Sequence, residues 1–529
     1  MKLTRKTAII ASLLVAPLLL SPAVTAAGEA PASADAPATA AKKVPVLVLD
    51  GSYPEVKAGF DLFDKDIVMA RDLIATVRRA KEDKDVRALI LRIESPGLSL
   101  TSLMDLRRAL IEFGEAGKPV YASFESVGLG GYVLASAADE IVIGPLGSLE
   151  LMGINAQSYF FKGTLEKIGA KADVVNTGRY KTAMESFTHD KMSDGNREQI
   201  GEVIKDILDQ LATCVAEGRR IDKDDAMDIL TDGPFTARKA LKKGYVDRIG
   251  YIEDIQHSLD EEAGTELEYD WEYSAAPKKK AEPPNIFALL MGGGLPKAKA
   301  VSDADPKIAV VYAVGPIVDG RSDDSPFSSS VQIASEDFID MLDEVAKEQN
   351  LKALVLRVDS PGGSAIASDR IWTRLEEIKA AGTPIVVSMG DVAGSGGYYI
   401  SMGADHIIAD PTTITGSIGV IYGRITLGGT MQKLGVTKDG IKIGRHANLY
   451  DETRLWDDSD RRLLNEFVEE VYDTFTAKAA KGRGLTQKRI KELGGGRIWS
   501  GRDAVDNGLV DELGGRDRAV AVARALATA

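Results

Sequence analysis

An internal repeat governs how this chain can fold. Arg87-Ala88-Leu89-Ile90-Leu91-Arg92-Ile93-Glu94-Ser95-Pro96-Gly97 aligns with Lys352-Ala353-Leu354-Val355-Leu356-Arg357-Val358-Asp359-Ser360-Pro361-Gly362 at an offset of 265. Gly128-Leu129-Gly130-Gly131-Tyr132 aligns with Gly394-Ser395-Gly396-Gly397-Tyr398, and Gly178-Arg179 with Gly444-Arg445, both at 266. Gly244-Tyr245-Val246-Asp247 aligns with Gly508-Leu509-Val510-Asp511 at 264. Four blocks in one order at nearly constant spacing mean one fold used twice. Twice the offset nearly accounts for the 529 residues.

Within each copy, strand-like apolar runs alternate with helical stretches. Val44–Leu49 and Ile308–Val314 open the halves, and Ala353–Val358 and Pro384–Met389 are further buried-strand runs. This alternation predicts an α/β fold with two tandem homologous domains, each with a mostly parallel sheet flanked by helices. Chemistry in such folds sits in the loops after strand C-termini. The expected organisation is a signal peptide or signal anchor over 1–27, a flexible leader over 28–43, an N-terminal domain over 44–275, a linker over 276–306 and a C-terminal domain over 307–529.

The first segment carries Lys2, Arg5 and Lys6 ahead of the apolar stretch Thr7–Leu20, then small residues through Ala26-Ala27. That order is the pattern of a secretory signal, so the body is expected to be exported. The linker has Ala-Pro-Lys-Lys-Lys and Gly-Gly-Gly runs around the apolar Ile286–Met291, a segment that either packs on a neighbouring domain or touches membrane or peptide. A net charge of −14 argues against nucleic acid as a partner. One cysteine, Cys214, and four histidines without an HExxH motif give no metal signature, and no cofactor motif is present.

Function is legible where the copies differ. The C-terminal half has Ser395 where the other has Leu129, and Gly363 where the other has Leu98. Conversely, Gly178-Arg179-Tyr180 continues to Lys181, whereas Gly444-Arg445-His446 continues to Ala447. One half keeps a hydroxyl and a bare turn; the other keeps an amine. Ser395, among glycines at a strand-to-helix junction, is presented as a nucleophile requires. The Gly396 and Gly363 N–H groups are candidates for an oxyanion hole, which needs backbone free of side chains. The base is open to three readings: His406, which falls in a strand run; His446; or Lys181, if burial lowers its pKa toward neutrality.

These residues resemble the bacterial signal peptide peptidase A proteases in their long form. The resemblance runs over about residues 44–525. It is carried by Ser360-Pro361-Gly362-Gly363-Ser364, Asp391-Val-Ala-Gly-Ser395-Gly-Gly-Tyr-Tyr399, Thr415-Gly-Ser417-Ile-Gly419 and Gly178-Arg-Tyr-Lys181-Thr-Ala-Met-Glu-Ser-Phe187. It implies ClpP/crotonase-like domains and a Ser-Lys dyad of nucleophile Ser395 and general base Lys181, with Ser417 orienting the lysine. It also implies hydrolysis of signal peptides at the membrane and assembly into a homotetramer. A non-hydrolytic crotonase-like enzyme and a catalytically silent peptide-binding scaffold are the competing classes; export argues against an acyl-CoA substrate, and the intact Ser395, Gly363, Lys181 and Ser417 set argues against silence.

Overall fold

A computed structural model describes residues 12–14, 42–57, 67–274, 306–322 and 331–528. Of the expected signal segment only the backbone of Ser12–Leu14 is described. The linker segment with Ile286–Met291 and the leader up to residue 41 lie outside the described residues.

The N-terminal half is built on β1 (Lys43–Leu49), β2 (Leu89–Ile93), β3 (Val120–Gly128) and β4 (Glu140–Glu150), all parallel neighbours in that order. β1 starts at Lys43, one residue inside the expected leader. Between the strands run α1 (Ala70–Glu82), α2 (Leu100–Glu115) and α3 (Leu129–Ala135). β1 and β2 are buried almost throughout and β3 and β4 over their first halves, as expected for a sheet covered on both faces. Apolar side chains of α1 and α2, including Ile74, Val77, Leu106 and Phe113, cover one face. Ile252, Ile255 and Leu259 cover the other.

After this sheet come β5 (Lys171–Asn176) and α4 (Asp194–Arg219), whose Val203, Leu211 and Val215 pack into the N-terminal core. The C-terminal half repeats the plan: β6 (Lys307–Val314), β7 (Leu351–Ser360), α5 (Ala365–Ala380), β8 (Ile385–Gly394), α6 (Gly396–Ser401) and β9 (His406–Ala409). Its strands are again parallel in the order β6–β7–β8–β9. β10 (Ile414–Gly416) runs parallel to the end of β8, followed by β11 (Ile421–Thr426) and β12 (Ile498–Ser500), which pairs antiparallel with β10. The apolar run at Pro384–Met389 thus extends to Gly394, so the strand itself delivers the next residue, Ser395. Ser12–Leu14 lies antiparallel to β6.

The halves are joined by a seam that positions everything below. β5 pairs antiparallel with β11 over six residues, from Lys171↔Thr426 to Asn176↔Ile421. Fully buried Arg357 on β7 donates through Nε to Glu55 (3.0 Å) and through Nη1 to the Met389 carbonyl (2.8 Å). Asp391 on β8 accepts from the Leu100 and Thr101 N–H groups (3.1 and 2.8 Å) at the start of α2, so a carboxylate from one half caps a helix of the other. Buried Asp173 on β5 accepts from the Trp456 N–H and from Arg461.

Candidate active site

Ser395 sits at the elbow between β8 and α6. Its φ of 54° and ψ of −115° are unusual for a residue with a side chain, a strain of about 1–3 kcal/mol that the surroundings must over-determine. They do so at both ends: its N–H donates to the Gly416 carbonyl (2.9 Å), and its carbonyl accepts from the Tyr399 N–H (2.8 Å). The turn after β7 packs against this elbow with no room for a side chain. A Cβ on Gly362 would lie 2.4 Å from the Gly396 nitrogen, and one on Gly397 would lie 2.5 Å from the Ser360 carbonyl oxygen.

Donor accounting singles out one group in that turn. Gly362 N–H donates to Ser360 Oγ (3.1 Å), and Ser364 N–H donates to the Ile317 carbonyl (2.9 Å). Gly363 N–H between them has no acceptor among the described residues, while Gly363 itself is open to solvent. Gly396 is the first residue of α6, so its N–H also lacks an intrahelical acceptor. Gly363 nitrogen lies 3.2 Å from where a Gly396 Cβ would stand, so the two backbones adjoin.

Lys181 arrives from the other half. β5 leads into the Gly178 turn, where Asn176 Nδ2 donates to the Lys181 carbonyl (2.9 Å) and Tyr180 N–H to the Gly495 carbonyl (3.1 Å). The lysine passes between two bare positions. A Cβ on Gly496 would lie about as close as 2.4 Å to its backbone, and one on Gly419 would lie 3.4 Å from its Cδ. Nζ ends 2.9 Å from Ser395 Oγ, 2.9 Å from the Ser417 carbonyl and 3.0 Å from Ser417 Oγ. Only 7% of Lys181 is exposed, and this burial pushes its amine down to about 8. A neutral amine has two N–H donors and one lone pair. The two Ser417 oxygens fit the donors, leaving the lone pair for the Ser395 hydroxyl proton.

The structure thus brings Ser395, Lys181, Ser417, Gly396 and Gly363 to one place. It leaves both histidines elsewhere in hydrogen bonding: His446 Nδ1 is 2.8 Å from Asp460, and His406 Nε2 is 3.3 Å from Glu512. In the N-terminal half, Leu98 and Leu129 pack onto the apolar core, filling the positions that Gly363 and Ser395 hold in the other half. Among the described residues no cluster of His, Cys, Asp or Glu is arranged to hold a metal, and no helix is long and apolar enough to cross a membrane.

Neither the Gly363 and Gly396 contacts nor the Gly419 and Gly496 channel around the lysine could be placed from sequence, though the glycines themselves were visible. The seam residues Glu55, Arg357 and Asp391 carried no sequence signal of their partners, because each partner lies in the other half.

A serine on a strained strand-to-helix elbow, hydrogen-bonded to a buried amine, defines a serine hydrolase, and the comparisons narrow this to a serine protease. The chain belongs to peptidase family S49, whose model matches it twice, over residues 112–266 and 377–529. It is 33% identical over 458 residues to Protease 4 of Haemophilus influenzae, covering 85% of this chain and 71% of that protein. Protease 4 of Salmonella typhi is 32% identical over 468 residues, covering 86% and 72%. The chloroplastic serine protease SPPA of Arabidopsis thaliana is 30% identical over 447 residues, covering 84% and 64%. Among solved structures, a ClpP1 mutant from Listeria monocytogenes covers 39% of this chain and 92% of its own at 15% identity and a TM-score of 0.23, too low to add to the topology above.

Proposed function

We propose that the chain is a Ser-Lys endopeptidase acting on exported peptides, signal peptides left after preprotein processing among them. The observation that carries this reading is the 2.9 Å approach of Lys181 Nζ to Ser395 Oγ, from opposite halves of one chain. Neutral Lys181 takes the Ser395 proton as Oγ attacks the scissile carbonyl. The Gly363 and Gly396 N–H groups receive the developing oxyanion. Protonated Lys181 returns its proton to the leaving amine, giving an acyl-enzyme on Ser395. Water, deprotonated by the same amine, then hydrolyses the ester and restores the serine. Ser417 holds the amine with its lone pair toward Ser395.

The charged residues ahead of the apolar Thr7–Leu20 stretch support an exported protein, in the periplasm or on the periplasmic face of the inner membrane. Self-assembly is part of the same reading. The test is a peptide-cleavage assay on wild type, Ser395→Ala and Lys181→Ala. Cleavage confined to wild type is expected; equal rates in all three would falsify the protease mechanism.

A further inference from the structure

The repeat isolates one more residue that only the lysine-bearing half retains. α4 has its counterpart in α7 (Asp458–Arg483). Both helices run for 26 residues. Arg219 pairs with Asp247 at the end of one as Arg483 pairs with Asp511 at the end of the other, each at an offset of 264. In that register Gln199 of α4 corresponds to Leu463 of α7. Gln199 is 3% exposed, whereas Leu463 is 39% exposed. The half that keeps Lys181 therefore keeps a buried amide in the second turn of this helix, where the half with Ala447 has a half-buried apolar residue.

A buried amide has to find partners for its two N–H donors and its carbonyl oxygen. Gln199 finds them around the lysine. Its Nε2 donates to the Tyr180 carbonyl (3.0 Å) and to Thr182 Oγ1 (3.2 Å), on the two residues that flank Lys181. Thr182 gives its own hydroxyl hydrogen to Asn196 Oδ1 (3.0 Å) and so is left accepting. Gln199 Oε1 accepts the N–H of Ile498 (3.2 Å), the first residue of β12. Ile498 is paired with Gly416 of β10, and the next residue, Ser417, donates its N–H to the Arg497 carbonyl (2.7 Å). One side chain thus ties the backbone that carries the lysine to the backbone beside the lysine's own partner, across the two halves. The Arg497 side chain makes a second tie, donating from Nη1 to the Tyr180 hydroxyl (3.2 Å) with its guanidinium 5.0 Å from the centre of that ring.

We propose that Gln199 is a positioning residue for the lysine, its amide holding both flanks of Lys181 against the Ser417 turn and keeping the amine inside the seam. This rests on the base role proposed for Lys181. None of these hydrogen bonds reaches Ser395 or Lys181 Nζ, so Gln199 acts through the lysine's backbone alone. Burial is what depresses the amine, so whatever fixes how deeply the lysine sits also fixes the pH at which it works. Without the amide, the Tyr180 carbonyl and the Ile498 N–H lose their partners inside the seam. Water that enters to satisfy them hydrates the lysine as well, and the amine returns toward its ordinary value.

The test is peptide cleavage by the full chain, measured as kcat and KM against pH, with thermal melts alongside. Gln199→Met keeps the length of the side chain and removes its donors and its acceptor. It should lower kcat at neutral pH by about tenfold, leave KM within about twofold, and move the midpoint of the acid limb of kcat/KM up by about one pH unit. Thr182→Val removes one of the same hydrogen bonds with little change of shape, and should move the limb the same way by less. A residue that only stabilises the fold would cost rate equally at every pH. A limb left in place in folded Gln199→Met overturns the proposal, as does a rise in KM at unchanged kcat. If Gln199→Met does not fold, an unmoved limb in Thr182→Val overturns it instead. A wild-type limb away from about pH 8 overturns the base role of Lys181 and the positioning role with it, so the two failures are told apart.

Discussion

Replacing Lys181 by methionine should abolish cleavage and yet stabilise the protein at neutral pH. The amine falls from an ordinary value near about 10.4 to about 8 because folding removes it from water. A lysine depressed in this way is a burden on folding below pH 8, where the unfolded chain holds its proton and the folded chain has to bury it. A shift of that size corresponds to about 3 kcal/mol. Methionine has a similar length and carries no charge. It forfeits the hydrogen bonds to the two Ser417 oxygens, a loss of about 1 kcal/mol. The net gain at pH 7 is therefore about 2 kcal/mol.

The pH dependence is the sharper signature. Between pH 8 and 10.4 the unfolded state binds more protons than the folded one, so wild-type stability rises with pH through that window. The advantage of Lys181→Met should shrink by about 3 kcal/mol across it and end as a small deficit. Denaturant midpoints of both proteins at pH 7 and pH 10.5, with matching slopes, measure this. A methionine variant destabilised by the same amount at both values would refute the claim that burial sets the lysine's protonation.

Other expectations follow from single contacts. Gly362→Ala should lose activity and several kcal/mol of stability, since its Cβ would overlap the Gly396 nitrogen at a φ of 92° that only glycine adopts freely; thermal melts and cleavage rates check it. Ser417→Ala should lower kcat by about 10- to 100-fold with little change in KM, because it loosens the amine without touching the peptide. Glu55→Ala should cost about 3–5 kcal/mol by leaving Arg357 charged and buried, and Glu55→Ala/Arg357→Met should recover much of that loss in denaturation experiments.

The repeat made the two-domain plan and the reciprocal Ser395 and Lys181 pair legible, because a duplicated sequence supplies its own comparison. Strand runs such as Val44–Leu49 were readable since strands buried on both faces are continuously apolar. Their ends were not: β8 runs past Met389 through Asp391 to Gly394, where polar and small residues break the apolar pattern but the pairing with β10 continues. The meeting of β5 with β11 was hidden for another reason. The two strands are about 250 residues apart, and periodicity within a strand says nothing about its partner. Likewise Asp391 read only as part of a glycine-turn motif, although its carboxylate caps α2 of the other half.

In the proposed mechanism Ser395 is activated by a desolvated lysine held by the opposite half of the chain. The most direct test is kcat/KM for an apolar peptide against pH from 5.5 to 9.5. A tenfold rise per pH unit is expected at the acid end, levelling off at about pH 8, with no such activity in Ser395→Ala at any pH. A limb centred near about pH 6.5, the range of an imidazole, would contradict it and return the role of base to His446.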